Sequence, residues 1–412
     1  MMRATHIAAL LMSASGLLGA GTSHAQSDLP PSKILRSLQF VQDSVVMGDH
    51  AARDMQKYLL ETFDTTLRTS DPSIFSDSKN ADAALAYIMS GGNPATLDYL
   101  VARDVQGYFD SRVINVLQKY FTGRGGQVEK VVADLIPEYQ KNRLGPYLML
   151  IAGNIAINRD PVASLAFFDD ARLTAPGTII EEAALRRSIA AAMQANQHEK
   201  GLIYIRKYAV RFLHSPYASQ FADLFVSFSI ENYGPVTTQD VEEIAELMDA
   251  ERAEEVYLRI ARQASLRGQV PLAQFATEKA NALSDETGDK TREALSKLYS
   301  GLANVSSDAV EIANKALESI PADELSPRDL ALRDAAKAIA EQIVRDPATS
   351  RAGNTADNQM IASGDDPHAP AVVEPVSGSS PSTQDAVPLK TFFDKNRARL
   401  NEIDSLLKLE ER

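Results

Sequence analysis

The sequence predicts an all-α fold: a tetratricopeptide-like helical-repeat solenoid with a disordered linker and a C-terminal amphipathic helix. Three observations support this prediction. Apolar residues recur at helical spacing from Pro31 to about Arg345. No stretch shows the sustained two-residue alternation of half-buried strands. Helices of similar predicted length are separated by short breaks of similar composition, which is typical of stacked helical hairpins.

The first 25 residues have the composition of a secretory signal peptide. Arg3 gives a basic start, an apolar run begins at Ile7, and small residues lead to Ala25. We expect cleavage after Ala25 and a periplasmic location. A short uncleaved anchor is the alternative, but the apolar run falls short of the roughly 20 residues that span a membrane.

Composition limits the partners and the chemistry. The chain has 42 basic and 55 acidic side chains, and removal of residues 1–25 removes only Arg3, which leaves 41 − 55 = −14. Such a charge disfavours nucleic acid and anionic membrane surfaces, and favours a basic protein partner or an uncharged one. The absence of cysteine excludes disulfides, thiol nucleophiles and thiolate metal sites.

The first two helices are predicted by their apolar spacing. The first ends at Gly48-Asp49 and has an inward face of Ile34, Leu38, Val41 and Val45. The second runs from Ala51 to about Thr66 and has a predicted inward face of Met55, Tyr58, Leu59 and Phe63.

Later breaks share a proline that we place at the first helical position, where its missing N–H costs nothing. These prolines are Pro94, Pro161 and Pro271, at intervals of 67 and 110 residues, close to two and three periods of 34 to 37 residues. The clearest repeat spans 146–176, with helices over 146–153 and 161–173 and an inward face of Ala166, Phe167 and Ala171. An irregular helical domain is the alternative. We place the repeat domain at 26–345.

Composition changes after residue 345. Residues 346–388 are rich in Pro, Ser, Gly, Asp and Ala, and the scarcity of large apolar residues predicts a disordered linker. Residues 389–412 form the predicted amphipathic helix, with Leu389, Phe393, Leu400, Ile403 and Leu407 near a seven-residue register. This segment is either a lid on the solenoid or a docking element for another protein.

No catalytic, cofactor-binding or metal-binding residues are predicted, and no cofactor. The four histidines after residue 25 lack metal-ligand spacing, and they are His50, His198, His214 and His368. The glycines of 123–126 indicate a turn. We interpret three carboxylate pairs as solvated helix faces, and they are Asp169-Asp170, Glu181-Glu182 and Glu242-Glu243. Glu182 lies four residues before Arg186 and five before Arg187, and the four-residue spacing stabilises a helix.

Four long stretches of the chain are distinctive: residues 36–50 (RSLQFVQDSVVMGDH), 89–104 (MSGGNPATLDYLVARD), 173–187 (LTAPGTIIEEAALRR) and 211–223 (RFLHSPYASQFAD). In these stretches the sequence resembles the MotC family of periplasmic motility proteins. The similarity is strong over about residues 30 to 280. It implies a non-enzymatic periplasmic protein that is required for flagellar motor rotation and binds the MotB-type stator subunit. The family supplies no catalytic residues.

Two other functions stay open from the residues alone. One is a generic envelope adaptor built from tetratricopeptide-like repeats. The other is a helical cell-wall lytic enzyme, which would need a compact catalytic domain after the repeats, where this sequence has a predicted linker and one helix.

Overall fold

Helices dominate the part of the chain that the computed structural model describes, which is residues 29–344 except 288–289 and 306–308. Seventeen α-helices lie in these residues and no strand does, apart from an isolated bridge between Tyr233 and Val236. The predicted all-α class is therefore confirmed. The predicted signal peptide, linker and C-terminal helix lie outside the described residues.

The chain divides into two compact units. The first comprises the described residues up to Gln42 together with Ala51–Tyr147, and the second comprises Asp43–His50 and the described residues from Leu148. Helix α1 (Pro31–Val46) and helix α7 (Gly145–Ala156) contribute to both. The other helices of the first unit are α2 (Ala52–Thr69), α3 (Ser78–Met89), α4 (Pro94–Arg103), α5 (Ser111–Phe121) and α6 (Glu129–Tyr139).

A polar cluster joins α2, α3 and α4 in the first unit. Asp64 accepts hydrogen bonds from Tyr87 Oη (3.2 Å) and from Thr96 Oγ1, and it pairs with Arg68 Nε at 2.9 Å. Tyr87 Oη in turn accepts the backbone N–H of Asn93 at 3.1 Å, just before α4 begins. Because these groups satisfy one another, three helices can meet around buried polar atoms.

Helix α2 departs from the predicted packing. Phe63 is buried as expected, but the side chains of Met55 and Tyr58 are 50% and 45% exposed. Its buried residues are confined to the last two turns, at Phe63, Thr66 and Leu67. The predicted inward face is therefore wrong for the first half of α2, where apolar spacing reflects an uncovered face rather than a core contact.

The second unit is a succession of helices that pack on their neighbours. After α7 they are α8 (Pro161–Thr174), α9 (Ile179–Gln194), α10 (His198–Phe212), α11 (Ala218–Glu231), α12 (Thr238–Ala245), α13 (Ala250–Arg267), α14 (Val270–Thr287), α15 (Lys290–Asn304), α16 (Val310–Glu318) and α17 (Pro327–Val344). Alternate helices also touch, since α9 contacts α11, α11 contacts α13, α13 contacts α15 and α15 contacts α17. Packing between both nearest and alternate helices is the pattern of a helical-repeat solenoid.

The spacing of alternate helices in the second unit averages 37 residues, at the upper end of the predicted 34 to 37, but the single intervals vary more widely. The alternate helices α9, α11, α13, α15 and α17 begin 39, 32, 40 and 37 residues apart. Pro94 and Pro161 occupy the first positions of α4 and α8, as predicted, whereas Pro271 is the second residue of α14. The side chains of Asn93 and Asp160 cap α4 and α8 by accepting backbone N–H bonds at 3.1 and 2.9 Å.

Close helix contacts depend on glycine. Gly153 in α7 lies against the ring of Phe168 in α8, and an added Cβ would be only 2.4 Å from ring atom Cε1. Phe168 is fully buried, as is Ala171, but Ala166 is exposed and Phe167 only half-buried. The predicted inward face of α8 is therefore wrong for Ala166 and Phe167. The prediction placed the buried face one residue too early, and so it selected Phe167 in place of Phe168.

Candidate interaction surface

A groove on the second unit combines exposed apolar side chains with four cations. It is a cavity of about 320 Å³ lined by eight residues, namely Arg172, Leu173, Pro176, Glu181, Arg206, Lys207, Val210 and Arg211. These residues come from the end of α8, the turn that follows, the first turn of α9 and the C-terminal half of α10. We call this set the α8–α10 groove.

The turn between α8 and α9 is held by local hydrogen bonds. Gly177 adopts a left-handed backbone conformation (φ +78°), which a residue with a side chain would adopt only with strain. Its N–H donates to Glu181 Oε2 at 2.6 Å, and the Thr178 side chain caps α9. Glu181 is thereby fixed at one side of the groove.

Three of the four cations are oriented by carboxylates. Arg211 Nη1 donates to Glu181 Oε1 at 2.8 Å, and Arg206 Nη2 donates to Glu243 Oε2 at 2.7 Å. Arg172 pairs with Asp169 at 2.7 Å, and its guanidinium lies 5.7 Å from the centre of the Tyr204 ring. Lys207 forms no ion pair with any described residue.

Apolar side chains in and beside the groove face solvent. Leu173 at the end of α8 and Val210 on α10 are each 66% exposed, and Ile203, two turns before Val210 on the same helix, is 51% exposed. Ile203, Lys207 and Val210 are spaced by four and three residues, so they share one face of α10. This face is opposite to the buried one that contains Tyr204 and Tyr208.

A buried charged cluster on α9 contacts the buried face of α10. Glu182 is fully buried, receives two hydrogen bonds from Arg186 at 2.7 and 2.9 Å, and accepts a third from Tyr208 Oη at 2.7 Å. The Tyr208 ring stacks on Phe221 with centroids 4.3 Å apart. Burial raises the pKa of Tyr208 above its ordinary value, and the charge of Glu182 raises it further. The cluster therefore holds α9, α10 and α11 together with a neutral tyrosine.

The carboxylate pairs interpreted from sequence as solvated faces behave differently from one another. That interpretation is wrong for Glu181 and Glu182, which are buried and ion-paired. Glu182 pairs with Arg186 four residues on, as the spacing predicted, whereas Glu181 pairs with Arg211 on another helix. Glu242 and Glu243 reach Lys279 and Arg206, and Asp169 reaches Arg172. The ion pairs of Glu181, Glu242 and Glu243 join different helices, whereas those of Asp169 and Glu182 lie within one helix, and these carboxylates do not converge on one site.

Of the four histidines singled out from the sequence, His368 lies outside the described residues, and the other three are not part of the groove lining. His198 begins α10, and its Nδ1 is 2.6 Å from Asn232 Oδ1. His214 follows the end of α10 beside Gly48, where an added Cβ would lie 2.8 Å from the His214 Cβ. Within the described residues no group of three His, Asp or Glu side chains is arranged to hold a metal ion. The glycines of 123–126 form a turn and a short 3-10 helix, Gly125–Val128.

The sequence of α10 contains a local indication of the groove, but the overall composition of the chain does not show it. Ile203 and Val210 lie seven residues apart on the side of α10 away from its aromatic residues, with Lys207 between them, and this spacing indicates a second face that is partly apolar. The net negative charge of the whole chain pointed towards a basic partner. The local excess of cations became visible only when α8, α9 and α10 were placed together.

These features define an all-α helical-repeat protein with an open, mixed apolar and cationic groove. No described helix is long and apolar enough to cross a membrane. The chain belongs to the MotC family: the profile of that family, described as chemotaxis protein MotC, matches residues 1–412. Chemotaxis protein MotC of Rhizobium meliloti (strain 1021) is 44% identical over 426 residues, covering 98% of both chains. No solved structure matches the chain.

The family membership confirms the resemblance inferred from four stretches of sequence. It extends that resemblance from residues 30–280 to the whole chain, including the segments before and after the described residues. The chain is therefore a motility protein of the MotC type.

Proposed function

We propose that the protein is a non-enzymatic periplasmic component of flagellar motility that binds the periplasmic part of the MotB-type stator subunit. The match to the MotC family over residues 1–412 carries this proposal. Two features of the chain support it. Residues 1–25 have the composition of an export signal, and the described helices stack in a manner suited to presenting a surface to another protein.

The motility role predicts a specific phenotype. A strain that lacks the gene should assemble flagellar filaments of normal length and number but should not rotate them. Filaments can be counted by electron microscopy, and rotation can be followed with tethered cells. Normal swimming in the deletion strain, or the absence of filaments, would contradict the proposed role.

The location and the partner need separate measurements. Replacing Leu10 and Leu11 with arginine should abolish export, because charge in the apolar run prevents recognition as a signal peptide. The variant should remain in spheroplasts, whereas the wild-type protein should be released with the periplasmic fraction. Purified residues 26–412 should bind the isolated periplasmic region of the MotB-type protein in calorimetry. The absence of heat at micromolar concentrations, together with no crosslink between the two in cells, would favour a generic envelope adaptor.

A further inference from the structure

The cations of the α8–α10 groove stand out against the charge of the chain. Four of its eight lining residues are basic and one is acidic, in a protein with a net charge of −13. A polyanion such as nucleic acid would be repelled by the molecule as a whole, but a short acidic segment would experience mainly the local field. The lining of the groove therefore presents a local positive charge within an acidic molecule.

The cations of the α8–α10 groove retain N–H donors that can bind an incoming anion. Arg206 is half-exposed and donates one hydrogen bond to Glu243, and Arg211 donates one to Glu181, so each guanidinium keeps free N–H donors. Lys207 lies between them in sequence and has no ion pair among the described residues. The internal carboxylates hold the arginines in place, which reduces the entropy cost of ordering them on binding.

The apolar side chains of the groove favour a ligand that carries apolar as well as charged groups. Leu173 and Val210 line the groove and are two-thirds exposed, and Ile203 extends the apolar surface along α10. A simple phosphate or carboxylate would leave them uncovered. A segment that carries both leucine-like and acidic side chains would cover them and meet the cations at once.

We propose that the α8–α10 groove binds an acidic peptide segment with leucine-like side chains, supplied by the protein partner. This proposal deepens the proposed function and rests on it, since it assigns a surface and a chemistry to partner binding. The predicted C-terminal helix of this chain is a poorer match in charge, because residues 389–412 contain six basic and five acidic side chains.

The first test measures the binding of a short fluorescein-labelled peptide to residues 26–412. The peptide has leucines at spacings of three and four residues and glutamates at the positions between them. Two matched peptides carry lysine for glutamate or serine for leucine. The leucine–glutamate peptide should bind at least about tenfold more tightly than either, and its affinity should fall as NaCl is raised from about 0.05 to 0.5 M. Equal binding of the lysine peptide would overturn the proposal.

Substitutions then locate the binding surface. Lys207→Glu should weaken the leucine–glutamate peptide about tenfold, whereas Lys315→Glu, at an exposed position of α16 away from the groove, should change the affinity less than about twofold. Leu173→Ser should weaken binding about fivefold, with Ile312→Ser on α16 as its matched control. These positions are exposed, so circular dichroism should show an unchanged fold. Equal effects of groove and control variants would refute the assignment.

Two further arms separate this proposal from the proposed function. In the first, the periplasmic region of the MotB-type protein replaces the peptide. If that region binds but is insensitive to Lys207→Glu, the groove assignment fails and the proposed function stands. If that region does not bind, but the peptide binds and Lys207→Glu weakens it, the proposed function fails and the groove assignment stands. In the second, tighter binding of a 389–412 peptide than of the leucine–glutamate peptide would overturn the proposal in favour of self-docking.

Discussion

The contact between Gly153 and Phe168 offers the sharpest test of how the second unit is packed. Gly153 lies in the interior of α7, where an alanine would normally favour the helix by about 1 kcal/mol. Here a Cβ would meet three atoms of the Phe168 ring at 2.4, 2.6 and 2.8 Å. Ordinary contact begins near 3.4 Å, so the ring would have to move by 3.4 − 2.4 = 1.0 Å.

That movement is costly because Phe168 is fully buried. Protein interiors are packed closely, and inserting a methyl group into a filled core costs about 1 to 3 kcal/mol. A rigid ring that must move by about 1 Å places Gly153→Ala at the upper end of that range. After subtraction of the helix-propensity gain, we expect a net loss of about 2 kcal/mol in the free energy of unfolding.

The measurement is a double-mutant cycle with Phe168→Leu, followed by urea unfolding monitored by circular dichroism. Leucine lacks the Cε1 and Cζ atoms that the new methyl group would strike, and its Cδ methyl groups can rotate away from the third contact. Gly153→Ala should therefore become neutral or stabilising by up to about 1 kcal/mol in that background. Gly126→Ala is the control, because a Cβ there meets nothing within 4 Å. If Gly153→Ala stabilises the wild-type protein, or costs the same in both backgrounds, the packing argument is wrong.

Three other predictions concern buried polar groups. Glu182→Gln should cost about 3 kcal/mol, because it removes the charge of a fully buried carboxylate and leaves the mostly buried Arg186 unpaired. Glu243→Gln, in a half-exposed pair, should cost less than about 1 kcal/mol in the same urea assay. Burial raises the pKa of Tyr87 to about 12, so its stabilising contribution is complete below pH 10 and is lost between pH 10 and 12. The stability difference between wild type and Tyr87→Phe should therefore shrink by about 2 to 3 kcal/mol from pH 9 to pH 12, and an unchanged difference would contradict the assigned pKa. Asn80→Ala should destabilise the first unit by about 2 kcal/mol, because its buried side chain bonds Ser32 N and Ile74 O, and a loss below about 0.5 kcal/mol in thermal unfolding would argue against this role.

The existence and approximate length of the helices could be predicted because their signals are local. Apolar spacing identified α1, which spans Pro31–Val46 with Ile34, Leu38 and Val45 buried. Proline at the first helical position identified the starts of α4 and α8, and the structure adds that Asn93 and Asp160 accept backbone N–H bonds there. Each of these signals acts within a few residues of the chain, so no tertiary information was needed.

The burial of individual faces could not be predicted with the same success. In α2, Met55 and Tyr58 have the spacing of a core face, but no described helix covers them and they are about half exposed. Spacing shows that apolar residues share a side of a helix, and it does not show whether a neighbour covers that side. Covered and uncovered stripes have the same sequence pattern, which is why the apolar stripe of the groove on α10 was also missed.

The charged residues illustrate a second limit, and it bears on the groove itself. The pairing of Glu182 with Arg186 follows from a spacing of four residues, but the pairing of Glu181 with Arg211 joins residues 30 positions apart on different helices. These two adjacent carboxylates therefore have different structural roles: Glu182 lies inside the core, and Glu181 lies at the edge of the groove. Because Glu181 occupies only part of the hydrogen-bonding capacity of Arg211, it orients the cation without neutralising the whole groove. A chain that is acidic overall can in this way keep a local surface for an acidic segment, and the sign of the net charge alone does not identify the charge of its partner.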